Sequence, residues 1–290
     1  MEKDQQMIRD AYKNFMYAAN IESSGKAPSY IKALDLLSQM LLHHPEGFSD
    51  CINIWNVSSI DRLELLRLRV LAEQRKQKKT GSSIWNIEGI SKSYLRSGYC
   101  SAALKSYQRF LVEYLHEQQL LRDFYQHTGS AVELASKLDR VITIPECVQK
   151  NYPNLEGREA VRFVTVRSNQ NVFRSIVLEI YQQRCCITGL NIPAVNRASH
   201  IVPWAEDKGN RMNPSNGLCL SATYDAAFDR NLISLDDDYR ILLSKDIKDH
   251  FSNQSVTEFF LKKEGQKIQL PKQYEPDKTL LKLHRVKGDF

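Results

Sequence analysis

From Gln5 to His127 apolar residues recur three and four positions apart, as in Ile31, Leu34, Leu37 and Leu41 and again in Leu63, Leu66 and Val70. That is the spacing of one buried helix face, and it predicts about five helices with no strand series among them. Ser59, ahead of Ile60-Asp61-Arg62, reads as an N-cap, Trp85 to Ser93 as a loop, and Ala102 to Phe124 as the longest helical run. Two further stretches have turn or linker chemistry: His43-His44-Pro45-Glu46-Gly47, and the basic Arg75-Lys76-Gln77-Lys78-Lys79-Thr80-Gly81-Ser82-Ser83. Between Thr128 and Ser168 the period degrades at Pro145, Pro153 and Gly157, which places a connection between domains there. A helix resumes from Asn169 with Val172, Phe173, Ile176, Val177, Ile180 and Tyr181 on one face, and it ends before Cys185.

Beyond Cys185 the texture changes. Short apolar pieces, Cys186-Ile187-Thr188 and Ser199-His200-Ile201-Val202, alternate with Gly189, Pro193, Pro203 and Gly209, as in irregular hairpins. Ser221 caps a short helix that runs to Asp229, and Asn231 suits the left-handed position that closes it. Leu232 to Leu235 and Tyr239 to Ser244 pair as a terminal hairpin across Asp236-Asp237-Asp238. The expected fold class is α+β, with a helical domain over 1–127, a linker over 128–168 and a second domain over 169–290.

The length of 290 residues fits two domains, and 42% hydrophobic with 26% charged residues is the balance of a folded chain rather than a disordered or fibrous one. No stretch approaches the roughly 18 uninterrupted apolar residues of a membrane-spanning helix, and the start MEKDQQMIRD lacks the pattern of a signal peptide. A cytoplasmic location is the resulting expectation. The formal charge of +6 permits a nucleic-acid partner without requiring one. Six cysteines, Cys51, Cys100, Cys147, Cys185, Cys186 and Cys219, include no C-x-x-C pair, so a zinc ribbon is disfavoured and all six read as reduced thiols.

The chemistry concentrates in one run: Arg197-Ala198-Ser199-His200-Ile201-Val202-Pro203-Trp204, then Arg211-Met212-Asn213-Pro214-Ser215-Asn216-Gly217-Leu218, then Tyr224-Asp225-Ala226-Ala227-Phe228-Asp229. With Cys185-x-x-Thr188-Gly189 upstream, this order resembles the HNH endonuclease family. The resemblance extends over 169–290, through Gln170-x-x-Phe173-Arg174 before the run and Leu270-Pro271 and Leu283-His284-Arg285 after it. It implies a ββα-metal nuclease domain, metal-dependent hydrolysis of DNA and, for proteins of this kind, a role in restriction or anti-phage defence with partner proteins of such a system.

Hydrolysis of a phosphodiester needs a water made nucleophilic and a cation beside the scissile phosphate. By the resemblance, His200 is the general base and Asn216 fixes its orientation through hydrogen bonds to backbone. Asp225 stands where the family usually has the last histidine of its name, a metal ligand, and aspartate suits Mg²⁺ or Mn²⁺, one ion per site. Many members carry an acid or histidine directly before the catalytic histidine as another ligand, whereas Ser199 stands there. Asp229, one helical turn after Asp225, is the candidate that compensates. Arg174, Arg197 and Arg211 are candidate phosphate contacts, and Arg75, Lys76, Lys78 and Lys79 a more distant one, against an ordinary solvated loop. Cys185, Cys186 and Cys219, and Trp55 and Trp85, read as core residues. Two other readings stay open: a DNA-binding or interaction module whose catalytic centre has degenerated, and a nuclease acting on RNA or structured DNA.

Overall fold

The computed structural model describes residues 2–19, 25–152, 157–250 and 253–290, so Pro153 lies outside the described residues. In chain order the helices are α1 (Glu2–Ala19), α2 (Lys26–His43), α3 (Ile60–Thr80), α4 (Lys92–Arg96), α5 (Tyr99–Gln126), α6 (Ala131–Leu138), α7 (Glu146–Gln149) and α8 (Gly157–Ile180). Then follow β1 (Asn196–His200), β2 (Gly217–Ser221), α9 (Ala222–Asp229), β3 (Ile233–Leu235), β4 (Ile241–Leu243), α10 (Lys245–Lys248), α11 (Gln254–Phe259) and α12 (Lys278–Arg285). The class is α+β, a helical N-terminal region followed by a C-terminal region with two small sheets. Among the described residues no helix is long and apolar enough to cross a membrane.

The chain forms two compact units, Met1–Leu115 with Ile142–Phe163, and His116–Val141 with Val164–Phe290. The stretch 128–168, expected as a connection, is therefore divided between them and carries α6, α7 and the start of α8. The first unit closes on an aromatic core in which Tyr12 and Trp55 each stand edge-on to Tyr107 at 5.4 Å. Trp55 and Trp85 are both buried, their indole N–H groups donating to Asp35 and to the carbonyl of His44.

The basic run 75–83 departs from expectation. Its basic part is helical rather than a loop: α3 continues to Thr80 and stops at Gly81, whose left-handed φ of 75° favours glycine, and only 81–83 lie beyond the helix. Arg, Lys and Gln are good helix formers, and the chain beyond folds back to cover one face. Ser83 Oγ and the Ile84 amide donate to the buried Glu73 carboxylate, while Gln77 donates to Asn86. Arg75, Lys76, Lys78 and Lys79 are left exposed on the outer arc of the final turns.

α8 begins at Gly157 rather than Asn169, so its first residues, through Phe163, belong to the first unit and the rest to the second. Its first turns carry helix-forming Arg158, Glu159 and Ala160 but too few apolar residues to show a period. Val172, Phe173, Ile176, Val177 and Tyr181 enter a core shared with Leu120 and Phe124 of α5, Leu134 and Leu138 of α6, and Leu218 and Leu220 of β2. A capping box between Ser130 and Glu133 starts α6. β1 and β2 pair antiparallel, as do β3 and β4. The second hairpin is not terminal, because α10 to α12 follow it; Asp277 caps α12, which buries Leu280, Leu281 and His284. All six cysteines are unpaired, and all but Cys147 are buried.

Candidate active site

The first hairpin places Ser199 opposite Leu218 and His200 opposite Gly217. A Cβ at Gly217 would come within 2.4 Å of the Val177 side chain and 3.1 Å of the Phe173 ring, so only glycine lets the hairpin lie this close to α8. Phe173 in turn supports the base candidate. Its ring stacks on the His200 imidazole at 3.8 Å and 12°, while Trp204 meets the same imidazole edge-on at 5.6 Å. His200 Nε2 lies 3.1 Å from the carbonyl oxygen of Arg211. A carbonyl only accepts, so Nε2 carries the proton and Nδ1 presents its lone pair. Burial lowers the pKa of His200, opposed by that hydrogen bond, which leaves the neutral imidazole in place at neutral pH.

Asn216 is fully buried and bridges the two ends of the loop that joins β1 to β2. Its Nδ2 donates to the carbonyls of Val202 and Asn210, and its Oδ1 accepts from the Val202 amide at 2.8 Å. The same loop binds Arg211, whose Nε donates to the Trp204 carbonyl at 2.8 Å with the guanidinium over the indole ring.

Ser221 precedes the first turn of α9, and Asn231 closes the helix with a φ of 53°. Tyr224, Ala227 and Phe228 face the core, which turns Asp225 and Asp229 to the other side. There a cleft of about 730 Å³ is lined by Ser199, His200, Asp225, Asp229, Arg174 and Arg197 among others. Asp229 is exposed by area, yet desolvation by the cleft walls first, and the charge of Asp225 second, raise its pKa. The nearby Ser199 hydroxyl, which completes no hydrogen bond among the described residues, opposes that shift.

The structure thus gathers six of the candidates named from sequence around one cleft. Asn216 stands behind it as a brace, Arg211 is held within the loop, and Arg75, Lys76, Lys78 and Lys79 lie on α3 in the other unit. Other lining residues, Phe173, His284, Glu206 and Lys287 among them, have no role at the site that the sequence assigns. Phe173 reads there as a core residue and part of a matching motif, and His284 only as part of a matching motif; Glu206 and Lys287 give no sequence signal at all.

Among the described residues no three His, Cys, Asp or Glu side chains converge into a ready-made metal shell. Two carboxylates one turn apart whose charges oppose each other, beside an unpartnered buried hydroxyl, fit a hard divalent cation that keeps most of its water.

The first hairpin and the short helix α9 thus bring an imidazole and two carboxylates to one cleft. Residues 185–236 match the family model described as HNH endonuclease, so the C-terminal region carries an HNH domain, which suggests nuclease activity on nucleic acid. No curated protein matches the chain.

Proposed function

We propose that the protein is a metal-dependent HNH endonuclease that hydrolyses DNA phosphodiester bonds and serves in restriction or anti-phage defence. The observation that carries this reading is the His200 imidazole, with Nε2 at the Arg211 carbonyl and Nδ1 left to accept a proton, sharing one cleft with Asp225 and Asp229. Nδ1 takes a proton from a water whose oxygen bonds to phosphorus. The bond from phosphorus to the leaving sugar oxygen breaks, and that oxygen takes a proton from solvent, giving one phosphate monoester and one hydroxyl end. Phe173 and the Arg211 carbonyl orient the ring, and Asn216 holds the loop that carries that carbonyl.

Asp225 and Asp229 would hold Mg²⁺ or Mn²⁺, with Ser199 a neutral oxygen nearby; when bound, the ion supplies positive charge beside the scissile phosphate. Arg174 and Arg197 would bind phosphates at the cleft, with Arg211 and the exposed face of Arg75, Lys76, Lys78 and Lys79 as outlying contacts. The helical region would select the target or bind a partner protein.

Incubation of supercoiled plasmid across several divalent metals tests this. Wild-type protein should nick it, and chelation or His200→Ala should abolish nicking. DNA binding without cleavage in any metal would instead make the chain a binding module, and preferential cleavage of RNA would change the substrate class.

A further inference from the structure

The C-terminal tail lies outside the matched residues 185–236, yet it builds one wall of the cleft. Its position is set by specific contacts. His284 Nε2 donates to the Phe228 carbonyl at 3.0 Å, and the Ser234 hydroxyl donates to Nδ1 at 2.9 Å. Arg285 donates to the Leu235 carbonyl and pairs with Asp237. Gly288 packs so closely that a Cβ there would come 3.1 Å from the Asn231 carbonyl and nearer still to the Phe290 ring. Lys287 is thereby fixed at the cleft, where it pairs with Glu206 of the loop that follows His200. Glu206 is itself set in a turn, its amide donating to the Pro203 carbonyl at 2.9 Å.

The charges of the cleft give this pair a meaning. Three cations line it, Arg174, Arg197 and Lys287, and three acids, Glu206, Asp225 and Asp229. Two of the cations have no direct ion pair among the described residues: Arg174 donates to the carbonyls of Asn196 and Pro193, and Arg197 to that of Ala194. Of the three, Lys287 alone is neutralised by a carboxylate among the described residues. Both members of the pair remain accessible, 36% and 52% exposed, and an ion pair in that setting is weakly held and readily exchanged.

We infer that Lys287 is a phosphate ligand of the cleft, held by Glu206 until a nucleic-acid phosphate replaces the carboxylate. This rests on the nuclease reading above and adds a residue that neither the motif nor the family match contains. The exchange frees one ammonium for the substrate backbone and leaves Glu206 in solvent, with no bond made or broken.

The test measures binding of a fluorescent DNA duplex to the full-length chain in chelator, so that affinity is read apart from cleavage. Lys287→Gln should weaken binding and lower the slope of log K against log salt by about 0.9, the increment of one phosphate contact, whereas Lys287→Arg should keep the slope. Glu206→Gln should tighten binding in the wild type but not in the Lys287→Gln background. An unchanged slope in Lys287→Gln would overturn the inference, as would an equal gain from Glu206→Gln in both backgrounds, which is a general field effect. If Glu206→Gln weakens binding as Lys287→Gln does, the pair is a structural strut. A wild-type chain that binds no nucleic acid would sink the nuclease reading itself.

Discussion

His200 and Asp225 share a cleft but have different tasks, so their variants should fail differently. His200→Ala removes the base and leaves every carboxylate, so the rate should fall about 10²- to 10⁴-fold with metal affinity unchanged. Asp225→Ala should lose metal affinity and rate together, and Asp225→His should retain activity with a preference moved towards metals that accept imidazole. Calorimetric metal titration beside plasmid nicking separates them; equal metal affinity in wild type and Asp225→Ala would transfer the ligand role to Asp229. A second histidine governs acid sensitivity. Burial pushes the pKa of His284 down from 6.5 to about 4, opposed by its bond to the Phe228 carbonyl and assisted by the charges of Lys287 and Arg285. The unfolded chain therefore binds this proton more readily than the folded one. The neutral ring's contribution is complete above pH 6.5 and drains away as pH falls towards 4, a loss of about 2 kcal/mol by pH 5. Urea midpoints at pH 7 and pH 5 should diverge less in His284→Gln than in wild type, and parallel shifts in the two proteins would refute this.

At the level of elements, the helix that carries Asp225 and Asp229 and the second hairpin, which follows it, are legible in the sequence because their turn chemistry is local. Asn231 closes α9 with a left-handed φ, and β3 pairs with β4 across the three aspartates. The basic run reads as a loop because what keeps it helical is not local. Glu73 and Gln77 are covered by residues 83–86 arriving from beyond the helix end, an interaction that no period within the run encodes. The correction changes how the charges act. Arg75, Lys76, Lys78 and Lys79 stand on a helical arc near a helix C-terminus, where cations are favoured. Changing all four to Gln should flatten the salt dependence of DNA binding, by about 0.9 for each phosphate that the arc neutralises. An unaltered slope would mark the arc as solvated surface only.

For the whole molecule, the motif run suggests a catalytic part that begins at Asn169, and the residues that line the cleft do lie beyond that point. Its core does not. Leu120, Phe124, Leu134 and Leu138 pack in the same cluster as Val172 and Phe173, and three of the four are completely buried. A fragment starting near His116 should keep a cooperative unfolding transition. One starting near Tyr152 discards all four side chains, at about 2 kcal/mol or more each, and should unfold at markedly lower denaturant. Equal midpoints for the two would refute the assignment. The tail shows the same limit of sequence reading: Lys287 reaches the cleft only through the docking of α12, and a lone lysine in a run of basic residues carries no spacing that announces it.

Trp204 gives the cleft an optical handle. The chain has three tryptophans, and the other two, Trp55 at 6% and Trp85 at 1% exposure, are sealed in the helical unit. Trp204 is half-buried and lines the cleft, edge-on to His200 and beneath the Arg211 guanidinium. A neutral collisional quencher should therefore dim its emission first, and an occupant of the cleft should shield it. The unlabelled protein can thus report by its own fluorescence when the cleft fills.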